Sequence, residues 1–342
     1  VLEKTIDKYL KTDELDKIKV DWQNIQHIKI LACGTAYYSG LVAKYWLEEL
    51  TNITVDLEIA SEFRYRRVAI KKNEVTIVIS QSGETLDTLE ALKQAKNNEQ
   101  TIISIVNTEN SSIGRASDYI LPIMVGPEIG VASTKAFLGQ LMVIAALGLN
   151  IGLKNRNISN NRFEELKALL LTVPTIITKI LSQSNTIKDV AMQIKDFHSV
   201  LFIGRGNLYP IALEGSLKLK ELSYIHAEGY AGGELKHGPI SLIDSNMPIV
   251  ALIQNGSLFE KMFSNLQELG ARNGKLLTVV GSSNVGKVTN SSSWILETPD
   301  CEEFIAPMIY TIPLQLLAYY AADLKGNDID QPRNLAKSVT VE

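Results

Sequence analysis

The sequence predicts an α/β fold with two doubly wound parallel sheets flanked by helices. Apolar, β-branched segments alternate with helical segments along the chain, and the two halves repeat the same order of strand, glycine-containing turn and helix. Strands that alternate with helices form parallel sheets that are covered on both faces. The 342 residues suffice for two domains with substantial cores.

The repeat is clearest at the first strand of each half. In the first half an apolar strand over 28–32 precedes Cys33-Gly34-Thr35 and a helix over 37–50. In the second half a strand over 200–203 precedes Gly204-Arg205-Gly206 and a helix over 209–224. Two further strands are predicted in each half, at 75–79, 101–106, 248–253 and 275–280. Ligands of such folds bind at the carboxyl ends of the strands.

A polar segment over 154–162 and the long helices after it separate the two halves. The predicted organisation is a first domain with the ligand site, a helical linker region, a second domain, and a C-terminal tail that contributes to the active site. Their predicted ranges are 1–153, 154–195, 196–325 and 326–342.

Composition excludes several classes of function. The net charge of −4 provides no general basic surface for nucleic acid. Two cysteines far apart in sequence, Cys33 and Cys301, predict neither a disulfide framework nor a zinc site, and they favour a reducing, cytoplasmic location. No metal or other cofactor is expected, because the four histidines lack paired ligand spacing.

Membrane association is also not expected from the sequence. The charged N-terminal segment 2–10 does not have the character of a signal peptide. The uncharged segment 136–153 contains Gln140, Asn150 and three glycines, and it is bounded by lysines. We therefore predict a buried core helix for this segment and no membrane span.

The turn Ser80-Gln81-Ser82-Gly83-Glu84-Thr85 is the strongest functional signal in the first half. It lies between a predicted strand and a predicted helix over 84–96, and it supplies hydroxyls, an amide and a glycine. Unpaired N–H groups at a helix N-terminus, together with such donors, bind phosphate with little need for Lys or Arg. The alternative is that these residues only cap the helix.

A nucleoside triphosphate is not favoured, since the chain contains no GxxxxGK[ST] motif. The corresponding turn of the second half reads Gln254-Asn255-Gly256-Ser257 and lacks the cluster of hydroxyls. We therefore expect one sugar-phosphate site in the chain.

Several further motifs, taken together, carry a family resemblance. They are Ala32-Cys33-Gly34-Thr35, the predicted phosphate turn Ser80 to Thr85, Glu128 to Lys135, Gly204-Arg205-Gly206, Ala212 to Glu221, Gly233 to Pro239 and the tail Asp330 to Glu342. With them, essentially the whole chain resembles the isomerase half of the glucosamine-6-phosphate synthases (glutamine–fructose-6-phosphate aminotransferases). The resemblance implies two sugar isomerase (SIS) domains. It also implies that the N-terminal glutaminase half of the full-length enzyme is absent from this chain, which begins at Val1.

The activity implied by the resemblance is conversion of fructose 6-phosphate plus ammonia to glucosamine 6-phosphate, the first step of the hexosamine pathway to UDP-GlcNAc. It proceeds through a Schiff base and a proton transfer from C1 to C2. Ala36 departs from several relatives, which carry Ser there. The implied substrate-binding residues are Thr35, Ser80, Gln81, Ser82, Thr85, Val131, Ser133 and Ala336.

Four residues match the family's catalytic positions. Lys337 would form the imine at C2, which requires a neutral amine. Glu221 would move the proton, with Lys218 stabilising negative charge on the intermediate. His237 would open the sugar ring from the neighbouring subunit, which implies a homodimer. Two supporting positions are also expected: Glu214, one helical turn before Lys218, would orient a catalytic partner, and Cys33, at a strand end beside the predicted sugar site, has the ordinary alternative role of a buried small hydrophobic residue.

Without the resemblance, the same residues have ordinary explanations. Lys218 and Glu221 could be a surface ion pair, Lys337 a solvated tail lysine and His237 a structural residue. The rival functions are a plain ketose/aldose phosphate isomerase, a non-catalytic sugar-phosphate sensor and a deglycase acting on fructosamine phosphates. An imine-forming tail lysine argues against the first two, and the match of the whole tail argues against the third.

Overall fold

The structure is a computed structural model that describes residues 1–69 and 71–340. Positions 341 and 342 of the predicted tail lie outside the described residues. The chain forms two compact units. Unit 1 comprises Val1–Leu171 and the C-terminal residues from Ala336 onward, and unit 2 comprises Thr172–Leu335.

Unit 1 is built on a parallel sheet with the order β2-β1-β3-β4-β5 among its described residues. Its strands are β1 (His27–Ala32), β2 (Thr54–Ile59), β3 (Glu74–Ser80), β4 (Thr101–Val106) and β5 (Tyr119–Pro122). Its helices are α1 (Leu2–Leu10), α2 (Gly34–Thr51), α3 (Ala60–Phe63), α4 (Leu86–Asn97), α5 (Ser112–Ala116) and α6 (Lys135–Lys154).

Unit 2 repeats this arrangement, with the order β7-β6-β8-β9-β10 in its described residues. Helix α7 (Asn160–Ser182) contains the boundary between the units. The strands of unit 2 are β6 (Ser199–Gly204), β7 (His226–Ala231), β8 (Pro248–Ile253), β9 (Lys275–Gly281) and β10 (Trp294–Thr298). Its helices are α8 (Ser184–Ile194), α9 (Tyr209–Ser223), α10 (Phe259–Gly270), α11 (Val285–Val288) and α12 (Ala306–Leu324).

The predicted fold class is confirmed, and all six predicted strands are present. The sequence did not predict the strands β2, β5, β7 and β10. Strand β7 shows the reason: its residues, HAEGYA, are mostly polar or small and include one buried residue, whereas every residue of the central strand β3 is buried. Outer strands have no continuous apolar run because they are covered less completely than central strands.

Helix α6 corresponds to the uncharged segment of the sequence. Of the helices in residues 1–69 and 71–340, it is the one with the length and hydropathy of a membrane span, and 89% of its most apolar window is buried. Gly152 lets it approach α2, since a Cβ there would lie 2.4 Å from the carbonyl oxygen of Leu50. The helix is thus a core element of unit 1.

A buried polar network joins three strands of unit 1. The ammonium of Lys29 on β1 donates to Glu74 Oε1 on β3 at 2.7 Å, and these side chains are 4% and 0% exposed. Gln100, just before β4, donates its amide to the same oxygen, and its own oxygen accepts from Thr76 Oγ1 at 2.6 Å. Because each member depends on its neighbours, the network stabilises the register of β1, β3 and β4.

Replacing Lys29 with Met should lower the free energy of unfolding by about 3–5 kcal/mol, because it leaves the buried Glu74 carboxylate without its counter-charge. Urea denaturation of the full chain measures the loss. The double variant Lys29→Met/Glu74→Gln removes both charges and should recover part of it. Equal losses in the single and double variants would show that the ion pair does not carry the effect.

Candidate active site

A pocket of about 110 Å³ opens at the carboxyl ends of β1 and β3 in unit 1. The strand order reverses at this point, because β1 pairs with β2 on one side and with β3 on the other. The lining residues are Cys33, Thr35, Ala36, Ile79, Ser80, Gln81, Ser82, Thr85, Thr88, Val131, Ser133, Gln140 and Lys337. The pocket thus brings together most of the predicted substrate-binding residues and the predicted imine-forming lysine.

The predicted phosphate turn is held by its own hydroxyl groups. Ser80 Oγ accepts from the N–H of Gly83 at 3.1 Å and lies 3.2 Å from Thr85 Oγ1. Ser82 Oγ accepts from the N–H of Glu84 at 3.1 Å. A hydroxyl that accepts an N–H still has its own proton to donate. The capping explanation and the phosphate explanation are therefore compatible. The oxygens shape the turn, while the O–H of Ser82 and one of the two O–H groups of Ser80 and Thr85 remain able to bind a ligand.

Gly83 is required for this turn by both conformation and space. Its φ of +69° lies in the left-handed region, and a Cβ would come within 2.0 Å of Ser111 Oγ. Ser111 is fixed because its side chain accepts from the N–H of Gly114 and caps α5. A side chain at position 83 would therefore displace the turn from α5.

Charge in the pocket favours an anion. Helices α2, α4 and α6 all begin at its wall, and the N-terminus of a helix carries partial positive charge. The charge at α2 and α4 is available to a ligand, whereas the N–H groups of Thr134 and Ala136 at α6 already donate to the carboxylate of Glu128. Among the lining residues that the structure describes, Lys337 is the one with a formal charge. Ala36 lies in the wall, where a Ser would have added another hydroxyl.

Lys337 is held by a carboxylate that the sequence analysis did not single out. Its Nζ donates to Glu128 Oε2 at 2.9 Å and to the carbonyl oxygen of Gly130 at 2.8 Å. The other carboxylate oxygen of Glu128 accepts from the N–H groups of Thr134 at 2.9 Å and Ala136 at 3.2 Å. Glu128 therefore caps α6 and binds the tail lysine at the same time.

The electrostatics of Glu128 follow from these contacts. Its side chain is 5% exposed, and burial alone raises its pKa. The Lys337 ammonium and the backbone donors Thr134 and Ala136 outweigh burial, and the pKa of Glu128 lies below its ordinary value of 4.5. The carboxylate is therefore charged at neutral pH and fixes the position of the Lys337 side chain through their ion pair.

The tail continues over the start of α4. The first N–H of this helix, that of Leu86, donates to the carbonyl oxygen of Val339 at 3.0 Å. Ala336 is exposed and is not among the described lining residues, although it immediately precedes Lys337. The tail thus contacts unit 1 through the side chain at 337 and the backbone at 339.

The other predicted catalytic residues lie in unit 2. On α9, Lys218 is 1% exposed and its Nζ lies 2.5 Å from Glu221 Oε2 and 3.6 Å from Glu214 Oε1. The Glu221 side chain is 21% exposed, whereas that of Glu214 is 1% exposed. A buried lysine between two carboxylates is not the surface ion pair that sequence alone would have allowed.

His237 ends a short 3₁₀ turn, Glu234–His237, and is exposed in this chain. Its neighbour Lys236 binds Glu268 at 2.7 Å, and Gly238 follows with a φ of +144°. The turn therefore presents the imidazole on the surface of unit 2.

The corresponding crevice of unit 2 is occupied by a carboxylate. Gln254, after β8, donates its amide to Glu303 Oε1 at 2.9 Å, and Asn207, after β6, donates to the carbonyl oxygen of Glu303 at 2.8 Å. A negative side chain at this position repels phosphate. This gives a physical reason for the expectation of one sugar-phosphate site.

Cys33 lines the pocket beside Thr88, whose hydroxyl lies 3.8 Å from its sulfur. Burial raises the pKa of the Cys33 thiol, which is therefore protonated at neutral pH and serves as pocket wall. Within residues 1–69 and 71–340, His, Cys, Asp and Glu form no group of three or more that could hold a metal ion.

Sequence reasoning did not select Glu128, which binds the pocket residue Lys337, or Gln140, which lines the pocket. Glu128 stood at the start of a quoted motif, and Gln140 was noted as a polar residue within an apolar helix. The usable signal in both cases is a polar side chain next to, or within, a segment that must be buried.

Comparisons with known proteins identify the family of the chain. The SIS domain family matches residues 23–149 and 193–324. A Bradyrhizobium diazoefficiens protein named glutamine–fructose-6-phosphate aminotransferase (isomerizing) is 48% identical over 326 residues, which are 95% of this chain and 54% of that protein. A Zymomonas mobilis protein of the same name is 46% identical over 346 residues, covering 100% of this chain and 57% of that protein. The chain thus spans about half the length of the curated relatives it matches.

A solved structure covers the same region. The C-terminal domain of glucosamine-fructose-6-phosphate aminotransferase from Francisella tularensis superimposes with a TM-score of 0.92 and is 42% identical. The match covers 97% of this chain and 94% of that domain.

Replacing Glu128 with Gln should loosen the tail, because the variant keeps an oxygen for the N–H groups of α6 but loses the charge that binds Lys337. Protection of the Leu86 amide against hydrogen exchange should fall about 10- to 100-fold, as expected for a lost bond to a charged group. The backbone N–H of Asn107 donates to the carbonyl oxygen of Gln81 at 3.0 Å. Its protection should be unaffected, and it serves as the control.

The same contact predicts a pH dependence. Because the folded-state pKa of Glu128 is lowered, its contribution is complete above its ordinary pKa of 4.5 and is lost as pH falls through the lowered value. Protection of Leu86 in the native chain should therefore decline below about pH 4.5. An equal decline in the Glu128→Gln variant would contradict this assignment.

Proposed function

The chain belongs to the SIS domain family and matches the C-terminal domain of a glucosamine-fructose-6-phosphate aminotransferase along 97% of its length, and we propose that it is an enzyme with that domain's synthase/isomerase activity. The proposed reaction converts fructose 6-phosphate and ammonia to glucosamine 6-phosphate, the first step of amino-sugar (hexosamine) biosynthesis. The proposal rests on homology for the family and on the pocket for the chemistry.

The observation that carries the proposal is the presence of a phosphate-binding turn and a lysine in one pocket. A protein that only senses a sugar phosphate needs the turn but has no use for an amine beside the sugar. Ser80, Ser82 and Thr85 would hold the phosphate, with Gln81 and Thr35 beside it. Lys337 would then face the carbonyl carbon of the open-chain sugar.

The first chemical steps follow from these groups. His237 is assigned general acid–base catalysis of ring opening, which exposes the C2 carbonyl. The neutral amine of Lys337 attacks C2, and loss of water leaves an imine. Ammonia then adds to C2 and displaces the lysine amine, so that the C2 imine carries nitrogen from ammonia. Glu128 and Gly130 fix the position of the lysine before it reacts.

The second stage is a proton transfer. Removal of one proton from C1 gives an enolamine, and return of a proton to C2 gives the 2-amino aldose. We assign both steps to Glu221, whose carboxylate is bound by Lys218 and is partly accessible. Glu214 Oε1 lies 3.6 Å from the Nζ of Lys218 and would help to keep the lysine in place while it stabilises charge on the intermediate.

The assembly and supply of ammonia are also part of the proposal. A glutaminase domain would release ammonia from glutamine, consistent with the names of the curated relatives and with their greater length. A homodimer in which His237 acts in the neighbouring subunit would explain why this imidazole is exposed in the chain. Free thiols at Cys33 and Cys301 agree with a cytoplasmic location.

A coupled assay with fructose 6-phosphate tests the activity of this chain directly. Glucose 6-phosphate should form without ammonium, and glucosamine 6-phosphate should form when ammonium is added at high concentration. Lys337→Ala is the matched variant: it keeps the phosphate turn, so it should still bind fructose 6-phosphate, but it should lose amination and imine trapping by borohydride. Binding without any turnover by the native chain would refute the enzyme assignment and favour a sensor.

Glu221→Gln should lower kcat by about 10²- to 10⁴-fold with little change in KM, because a neutral amide cannot accept the C1 proton. Hydrogen exchange of the C1 proton with solvent should be lost in parallel. Glu260→Gln, the same change at an exposed residue in the first turn of α10 in unit 2, is the matched control outside the proposed chemistry. Near-normal turnover by Glu221→Gln would eliminate Glu221 as the proton carrier.

A further inference from the structure

The wall of the pocket contains a buried amide oxygen that none of residues 1–69 and 71–340 satisfies. Gln140 is 1% exposed and lines the pocket. Its Oε1 has no hydrogen-bond partner among the residues that the structure describes. Burial of an amide oxygen without a partner costs about 1–3 kcal/mol, and native proteins rarely accept that cost without a compensating role.

The helix that carries Gln140 makes the residue unusual. Helix α6 is otherwise mostly apolar, and its buried residues are almost all aliphatic, aromatic or glycine. A Leu or Met at position 140 would fill the same volume without an unsatisfied polar atom. Core packing therefore does not explain why this position has an amide.

The backbone fixes the direction in which α6 faces the pocket. Gly139 lies against the chain that follows β5, since a Cβ there would approach Val125 to 2.6 Å and Ile123 to 3.1 Å. Successive positions of a helix are rotated by about 100°, so Gln140 points away from that contact. Ser133, which also lines the pocket and precedes the helix, has a buried Oγ that likewise has no partner within the described residues.

We propose that Gln140 is a specificity-determining residue that binds a hydroxyl group of the sugar chain. This inference rests on the proposed function and adds a contact to it. The amide oxygen would accept from a hydroxyl at C3, C4 or C5 of the sugar phosphate, while the phosphate turn and Lys337 bind the two ends of the same molecule. A ligand without that hydroxyl would leave the buried amide unsatisfied and would be rejected.

The variant Gln140→Met tests the proposal, because it keeps the volume of the side chain and removes the amide. The KM for fructose 6-phosphate should rise about 3- to 10-fold, the effect of one hydrogen bond between uncharged groups, while kcat changes little. The melting temperature should stay the same or rise, since an unsatisfied polar atom is removed. A structural role would instead lower the melting temperature and leave KM unchanged, which would overturn the proposal.

Asn150→Leu is the matched control. Asn150 is on the same helix and also has an amide oxygen without a partner in the described part of the chain, but it does not line the pocket. Its amide nitrogen donates to Asp16 Oδ1 at 3.1 Å, away from the pocket. This variant should keep the KM of the native chain. An equal rise of KM in both variants would show a general effect of altering α6 and would overturn the proposal.

Deoxy sugar phosphates identify the hydroxyl. Dissociation constants of 3-, 4- and 5-deoxyfructose 6-phosphate are measured by calorimetry for the native chain and for Gln140→Met. One deoxy sugar should bind the native chain about 3- to 10-fold more weakly than fructose 6-phosphate, yet bind the variant as well as fructose 6-phosphate does. Equal losses for native chain and variant with all three analogues would refute the contact.

The outcomes separate this inference from the proposed function. If the native chain binds fructose 6-phosphate without turnover, only the proposed reaction fails, because the dissociation constants of the deoxy sugars still report on Gln140. If the native chain turns over and Gln140→Met has native KM, only the inference fails. If the native chain does not bind fructose 6-phosphate, both are refuted.

Discussion

The site depends on one constraint of parallel sheets: where the strand order reverses, the connections on either side of the reversal diverge and leave a crevice. In unit 1 the crevice lies between β1 and β3, and three helices begin at its wall. The backbone thereby supplies positive partial charge before any side chain is considered. In the function proposed above, hydroxyls then suffice to bind a phosphate, and the lysine in the pocket is left for chemistry at the other end of the ligand.

Glu128 connects this crevice to the C-terminal tail. One carboxylate satisfies the first N–H groups of α6 and also binds an ammonium 209 residues away in sequence. The two contacts support each other, because the backbone donors keep the carboxylate charged and the charge keeps the lysine in place. The tail residue is thus positioned by a group whose own orientation is fixed by a helix terminus, which reduces the entropy lost when substrate binds.

The two units have the same backbone topology but different side chains at the corresponding crevice. Gly34 and Gly206 follow the first strand of each unit with the same φ of +56°, and both sheets have the same order. In unit 2, however, Glu303 fills the crevice with negative charge. The buried charged cluster of unit 2 that the proposed function uses lies instead on α9, where Lys218 contacts Glu214 and Glu221. Repetition of the fold therefore does not imply repetition of the site.

The sequence alone determined the features that depend on neighbouring residues: the alternation of central strands and helices, the phosphate turn around Gly83, and the tail motif with Lys337. Only the tertiary structure decided which distant groups meet. It paired Glu128 with Lys337, placed Gln140 in the pocket wall and added outer strands such as β7. The physical reason is that hydrophobic periodicity and turn chemistry act over a few residues, whereas ion pairs, buried amides and sheet edges acquire their partners only when the chain has folded.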